Sequence, residues 1–428
     1  MKHRILVLGA GYAGAYAAGT LARRLSPADT EITVVNTEPD FVERLRLHQV
    51  AAGQDFATRT LADVFAGTGI RLRLARVTAL DPERRVVTVA DPDGRAGVDE
   101  LGYDTLLYAL GSHGDDRGVP GAADHAFDVA ARPAALRLRE RLDGLREGGR
   151  VLVVGDGLTG IETATEIAES RPGLSVTLVA RGELAARLSA GARGHLRRAC
   201  ARLGITVLEH TGVEAVEAER VLCADATVLP SDATVWAAGF AVHPIAAAAG
   251  LAVTESGRIV VDGTMRSLSH PDVYAAGDSV HAIGANGLPL PMSCASAGFT
   301  GMQAVKAIVG NLTGSRTGHV RLSYPGNHIS LGRQDGILQL VDREARPKPA
   351  YLGGRKAARF KAGILRVSLW TTAHPTFCVP RRRRHLTPAP DASAAHAVPY
   401  AVLPHEVPYA APHAAPYAPD APAGRPVA

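Results

Sequence analysis

The chain has 428 residues, 46% of them apolar and only 5% aromatic, with a formal net charge of +5. That length exceeds one ordinary domain and calls for two or three, with cores built from Ala, Val and Leu. Nine basic residues and no acid fall within 353–384, which leaves the rest of the chain at −4; a protein that is basic throughout is excluded.

The N-terminus, MKHRILVLGAGYAG, reads as a buried strand and glycine turn, not a secretory signal. ILVLGAGYAGAYAAGTLARRL (5–25) predicts strand, turn and Ala-rich helix, followed by a second strand in EITVVN (31–36). Residues 71–112 alternate valines around a DPDG turn and predict a small antiparallel meander. VLVVGDGLTGIETATEIAES (151–170) repeats the first motif, with SVTLVA (175–180) as its second strand. ATVWAAG (233–239) is expected to close this second unit. DVYAAGD (272–278) supplies another parallel-type strand and GMQAVKAIVGNL (301–312) a helix. HISLGRQDGILQLVD (328–342) reads as a β-hairpin and GRKAARFKAGILRVSLW (354–370) as a basic helix. From Arg381 the chain is RRRR and then Pro/Ala-rich, with PYA three times, and is expected to be disordered.

Two strand–glycine loop–helix units imply two dinucleotide folds. In the first loop Gly9 permits the tight turn, Gly11 lets the backbone approach a pyrophosphate, and Gly14 lets helix pack on sheet. Gly155, Gly157 and Gly160 repeat these roles. The first unit's second strand ends at Asn36, which either hydrogen-bonds a ribose hydroxyl or is a strand-end turn residue. Glu162 either marks the positive end of its helix or reaches a bound cofactor. The second strand of the second unit ends in Ala180 and Arg181 where an acid would favour NADH, so Arg181 points towards a 2′-phosphate, with Glu183 as a counterweight. The lean is to NADPH or dual use.

No stretch approaches the ~20 apolar residues of a membrane span. Cys200, Cys223, Cys294 and Cys378 lack close spacing, which argues against a disulfide framework, a zinc site or an adjacent redox dithiol. The scattered histidines lack metal-ligand spacing, and no metal is expected. The default location is cytoplasmic, with a peripheral position on the inner face of the membrane as the variant that the basic segment allows. That segment has three readings: a membrane surface reached through 354–384, ordinary packing or a homodimer contact, and a nucleic-acid patch. No aromatic-interleaved groove supports the last, so no nucleic acid is expected.

GAGYAG, YDTLLYALGS, VVGDGLTGIE, ATVWAAG and SHPDVYAAGDSV, in that order over about 3–312, resemble the FAD-dependent pyridine nucleotide oxidoreductases. Within them the chain is similar to type II NADH dehydrogenases and apoptosis-inducing-factor-like oxidoreductases. The resemblance implies an α/β fold of two Rossmann-like three-layer domains, the NAD(P)H domain inserted in the FAD domain, plus a small C-terminal α+β region. The implied boundaries are 1–115 with 263–317 for FAD, 148–262 for NAD(P)H, 318–380 for the C-terminal region and 381–428 for the tail. It further implies that Asp278 binds the flavin ribityl chain, Val77 meets the adenine through its backbone, and Gly111 lies by the FAD phosphates. Glu162 would orient the nicotinamide, and Gly239 would line the NAD(P)H cleft.

FVERLRLHQVAAG (41–53) lacks the cysteine pair that disulfide reductases place in this region, so hydride passing to the flavin has no dithiol to receive it. Arg44, Arg46 and His48 there lie near the FAD or line a solvated helix face; Arg46 is counted with the FAD site. In PMSCASAG (291–298), Ser293-Cys294-Ala295-Ser296-Ala297-Gly298 stands where type II dehydrogenases carry Ala-Gln-x-Ala-x-Gln, with both glutamines replaced. Cys294 reads as a small buried thiol or, less favoured, a redox group. The implied function is an NAD(P)H:acceptor oxidoreductase without a dithiol. A quinone is the leading acceptor, and the alternatives are a small redox protein or a flavin–nicotinamide sensor role.

Overall fold

The computed structural model describes residues 1–92, 97–318, 322–375 and 383–387. Two five-stranded sheets organise it. The first places β1 (His3–Leu8) between β2 (Thr30–Asn36) and β3 (Thr105–Tyr108), all parallel. Arg71–Leu74 and Val273–Ala275 form its edges. The second repeats the scheme with β4 (Arg150–Val154) between β5 (Ser175–Val179) and β6 (Ala233–Trp236). Thr206–Leu208 and the two-residue strand Ala126–Phe127 are its edges.

The central strands are apolar at nearly every position because helices cover both faces of a parallel sheet. Thr105, Leu106, Leu107 and Tyr108 are all buried, as are all four residues of β6. This burial explains two departures from the sequence expectation. The antiparallel meander covers only Arg76–Asp81, Val86–Ala90 and Val98–Gly102, while its flanks join the parallel sheet. β6 lies inside its sheet rather than closing it. A further antiparallel sheet of three short strands, Val213–Val216, Arg220–Cys223 and Val228–Pro230, has no counterpart in that expectation.

Helix α1 (Tyr12–Arg24) follows the first glycine loop and α2 (Leu158–Ser170) the second. α3 (Ala190–Arg202) comes after β5, and α4 (Cys294–Thr313) packs against α1. Their close approach needs small residues: a Cβ on Gly301 would lie 3.3 Å from the Ala13 carbonyl oxygen.

In the C-terminal region, Gly326–Ser330 and Gly336–Val341 form the hairpin. Pro347–Gly353 adds a third strand, which its PKP sequence conceals; proline is tolerated because this is an edge. α5 (Gly354–Ala373) then packs across that sheet. Residues 383–387 fall in the segment expected to be disordered, yet Arg384 pairs with Leu25 and its N–H donates to the Arg24 carbonyl at 2.8 Å. Leu386 packs on the apolar core around the first sheet. The rest of that tail, and Cys378, lie outside the described residues.

Candidate nucleotide and electron-transfer site

The two glycine loops have the same geometry. Gly9 has φ +91° and Gly155 φ +110°, left-handed values that side chains resist. A Cβ on Gly155 would lie 2.6 Å from the Ala237 carbonyl oxygen. One on Gly14 or Gly160 would overlap the carbonyl oxygen of Gly9 or Gly155, respectively. Gly11 and Gly157 instead face open space. Neither α1 nor α2 has a side-chain N-cap or an acid in its first turn. Their first N–H groups thus lack a side-chain acceptor and face the space beside the middle glycine, an arrangement suited to a phosphate anion.

Asn36 is committed to the loop itself. Its Oδ1 accepts from the Ala10 N–H at 2.9 Å, and its Nδ2 donates to the Glu38 carbonyl at 2.8 Å. Val77 is buried at the start of the meander. Across the molecule, the Gly239 carbonyl accepts from the Asp115 N–H at 3.1 Å, and the Arg117 guanidinium fills the space where a Gly239 Cβ would sit.

Asp278 lies in a single 3-10 turn, Gly277–Ser279, held by the Gly277 N–H donating to Thr300 Oγ1 at 3.0 Å. Its Oδ2 accepts from Ser112 Oγ at 2.7 Å, and Arg44 Nη1 is 3.9 Å away. Arg44 Nη2 also reaches Ser112 Oγ at 3.3 Å, and Ser279 Oγ donates to the Gly111 carbonyl at 3.1 Å. Gly111, Ser112, Arg44 and Asp278 therefore form one polar cluster beside the α1 N-terminus. Arg46 does not join it: its guanidinium stacks 4.7 Å above the Phe56 ring and pairs with Glu43 at 3.3 Å. His48 is 5% exposed, which removes the solvated-face reading for that residue. Burial, with the charges of Lys361 and Arg46, pushes its imidazole down to about 3, so it is neutral.

Cys294 opens α4, whose N-terminus is capped by Ser293 Oγ accepting from the Ser296 N–H at 3.1 Å. Burial and the nearby Asp278 carboxylate push the thiol up to about 12. Cys200, Cys223 and Cys294 are all free among the described residues.

The decisive contact is not visible in the sequence. Glu162, just past the first turn of α2, accepts from the Ser330 N–H at 2.8 Å and from the Lys361 ammonium. Lys361 also donates to the His328 carbonyl at 3.2 Å. Both side chains are about a tenth exposed. Burial pushes Lys361 down to about 7. The apolar spacing of α5 in the sequence, Phe360, Ile364 and Val367 at i, i+4 and i+7, marks the apolar side of a basic amphipathic helix. The face buried against the protein carries Ala357, Lys361 and Leu365, while Phe360, Val367 and Trp370 are exposed. The available signal is the 357–361–365 spacing, in which the lysine interrupts an otherwise apolar row.

Residues 3–307 match the family of pyridine nucleotide-disulphide oxidoreductases. The chain belongs to that family. It is an NAD(P)H-dependent oxidoreductase with FAD and NAD(P)H as its cofactors, and both glycine loops fit a dinucleotide pyrophosphate. It has no cysteine pair in 41–53. The chain is 32% identical over 300 residues to an NADH dehydrogenase-like protein of Mycobacterium tuberculosis, covering 64% of this chain and 72% of that one. It is 27% identical over 393 residues to a type II NADH:quinone oxidoreductase of Staphylococcus aureus, covering 85% and 94%. Its fold matches the NDH2 of Plasmodium falciparum solved with NADH, at TM-score 0.72 and 14% identity over 89% of this chain and 100% of that one. No described helix is long and apolar enough to cross a membrane, and the described residues contain no group of His, Cys, Asp or Glu that could hold a metal ion.

Proposed function

We propose that this oxidoreductase passes electrons from NAD(P)H through FAD to a quinone. The first loop (Gly9, Gly11, Gly14), with Gly111, Asp278 and the Val77 backbone, holds FAD. The second (Gly155, Gly157, Gly160), with Arg181 and Gly239, holds NAD(P)H. Asn36 serves the FAD site by shaping the loop, and Arg44, beside Asp278, takes the FAD-site role that the sequence reading gives to Arg46.

The observation that carries the reading is the buried Lys361–Glu162 pair. The net reaction, NAD(P)H + H⁺ + quinone → NAD(P)⁺ + quinol, delivers two protons to the acceptor. The flavin supplies the two-electron relay between nicotinamide and acceptor. A buried ammonium whose pKa burial lowers is suited to give a proton to a developing quinol oxygen, and the Glu162 carboxylate holds it in place. Cys294, Ala295 and Ser296 at the start of α4 are small, and burial keeps the Cys294 thiol protonated at neutral pH. The exposed Phe360, Val367 and Trp370, beside Arg359 and Arg366, suit α5 to rest on an anionic membrane where quinone is dissolved.

The test is steady-state NAD(P)H oxidation with a short-chain quinone or a [2Fe–2S] ferredoxin as acceptor. Faster turnover with the quinone supports this reading, and faster turnover with the ferredoxin replaces it with the small-redox-protein alternative.

A further inference from the structure

We infer that the second dinucleotide site is built for NADPH, with Arg181 reading the 2′-phosphate; this rests on the NAD(P)H reading above. The two units can be superposed through their own hydrogen bonds. The Gly9 N–H donates to the Val35 carbonyl at 2.8 Å, and the Gly155 N–H to the Val179 carbonyl at 2.9 Å. One residue on, the Asn36 carbonyl accepts from the Ala75 N–H at 2.9 Å, and the Ala180 carbonyl from the Thr211 N–H at 3.0 Å. Ala180 is therefore the counterpart of Asn36, at the strand end where an NAD-binding fold places an acid on the adenosine ribose. Its methyl group accepts no hydrogen bond, so a free 2′-hydroxyl gains nothing there.

The neighbouring charges point the same way. Arg181 is exposed, and makes no hydrogen bond or ion pair among the described residues. Glu183, the acid that could reach back to a ribose, is already paired with Arg193 of α3, with Arg197 Nη2 at 4.0 Å. The loop between them is held in place: the Ala185 N–H donates to Asp156 Oδ2 at 2.7 Å, and the Leu184 N–H to Glu209 Oε1 at 2.6 Å. The His210 N–H donates to the Gly182 carbonyl at 3.1 Å. The strand end thus presents a guanidinium on a fixed backbone and no free carboxylate, and an Arg fork binds phosphate through two parallel N–H donors.

The FAD-loaded protein is titrated calorimetrically with 2′,5′-ADP and with 5′-AMP, which differ by the 2′-phosphate. Binding of 2′,5′-ADP is expected to be at least tenfold tighter. That advantage should be lost in Arg181→Glu, whose melting temperature should stay near that of the unaltered protein, since the side chain is exposed and the fold does not depend on it. Equal affinities in the unaltered protein, or an advantage that survives Arg181→Glu, overturn the inference. Anaerobic flavin bleaching separates the two levels. Bleaching by NADH but not NADPH overturns NADPH selectivity and leaves the proposed function standing. Bleaching by neither overturns both.

Discussion

The Lys361 ammonium on α5 lies against the Glu162 carboxylate on α2, joining residues 199 positions apart in the chain. Both are buried, so removing one leaves the other as an uncompensated charge. Such losses cost about 3–5 kcal/mol, whereas removing both is often close to neutral. Glu162→Gln and Lys361→Met are each expected to lower the urea midpoint strongly, and the double variant to recover most of the loss. Additive losses in the double variant would show that the two side chains are not coupled.

The glycine loops separate binding from folding. Gly11 faces open space, and a Gly11→Val side chain would occupy the place proposed for the pyrophosphate. This variant is expected to melt near the flavin-free unaltered protein and to purify without bound yellow flavin. In Gly14→Ala the new methyl meets the Gly9 carbonyl, an overpacking that costs about 1–3 kcal/mol. Its melting temperature should fall even when excess FAD is supplied. Melting curves and the flavin absorbance of each variant check both outcomes.

Cys294 should be unreactive. With the thiol pushed up to about 12, the nucleophilic thiolate is scarce at neutral pH and increases only as pH rises towards that value. Iodoacetamide at pH 8 should modify it more slowly than an unperturbed thiol, and Cys294→Ala should keep NAD(P)H oxidation within about threefold. Loss of turnover in this variant would assign the thiol a redox role.

The outward face of α5 gives a surface prediction. Phe360, Val367 and Trp370 are exposed beside Arg359 and Arg366, and each basic residue near an anionic bilayer contributes about 1 kcal/mol. Flotation with vesicles containing phosphatidylglycerol should carry the protein upward at low salt. Binding should weaken with salt, with neutral lipid and in Val367→Glu. Equal flotation with neutral and anionic vesicles would contradict this use of the face.

Much of the framework is legible locally. The glycine loops, the buried strands and the turn at Asp278 announce themselves because close approaches demand small residues and doubly covered strands demand apolar ones. Three things are not local. Asn36 has two readings from its place at a strand end, and its side chain is held by Ala10 and Glu38. β6 and the flanks of the meander depend on which strands are covered on both faces, which one segment does not report. Lys361 is hidden most deeply. A lysine on a basic helix reads as solvated, and the apolar phasing of Phe360, Ile364 and Val367 points away from it. Only its carboxylate partner, distant in sequence, makes its burial tolerable.

Anaerobic stopped-flow of the two half-reactions, across about pH 5.5–8.5, addresses proton delivery by Lys361 most directly. Burial lowers the ammonium's pKa and the Glu162 carboxylate against it raises it, so the proton is present below the pKa of the pair and lost as pH rises through it. Quinone reoxidation of the reduced protein should therefore slow as pH rises. In Lys361→Met it should be slow at every pH, by about tenfold or more, while flavin reduction by the nicotinamide stays nearly unchanged. A reoxidation rate that is independent of pH and untouched by Lys361→Met would show that the protons of the quinol come from elsewhere.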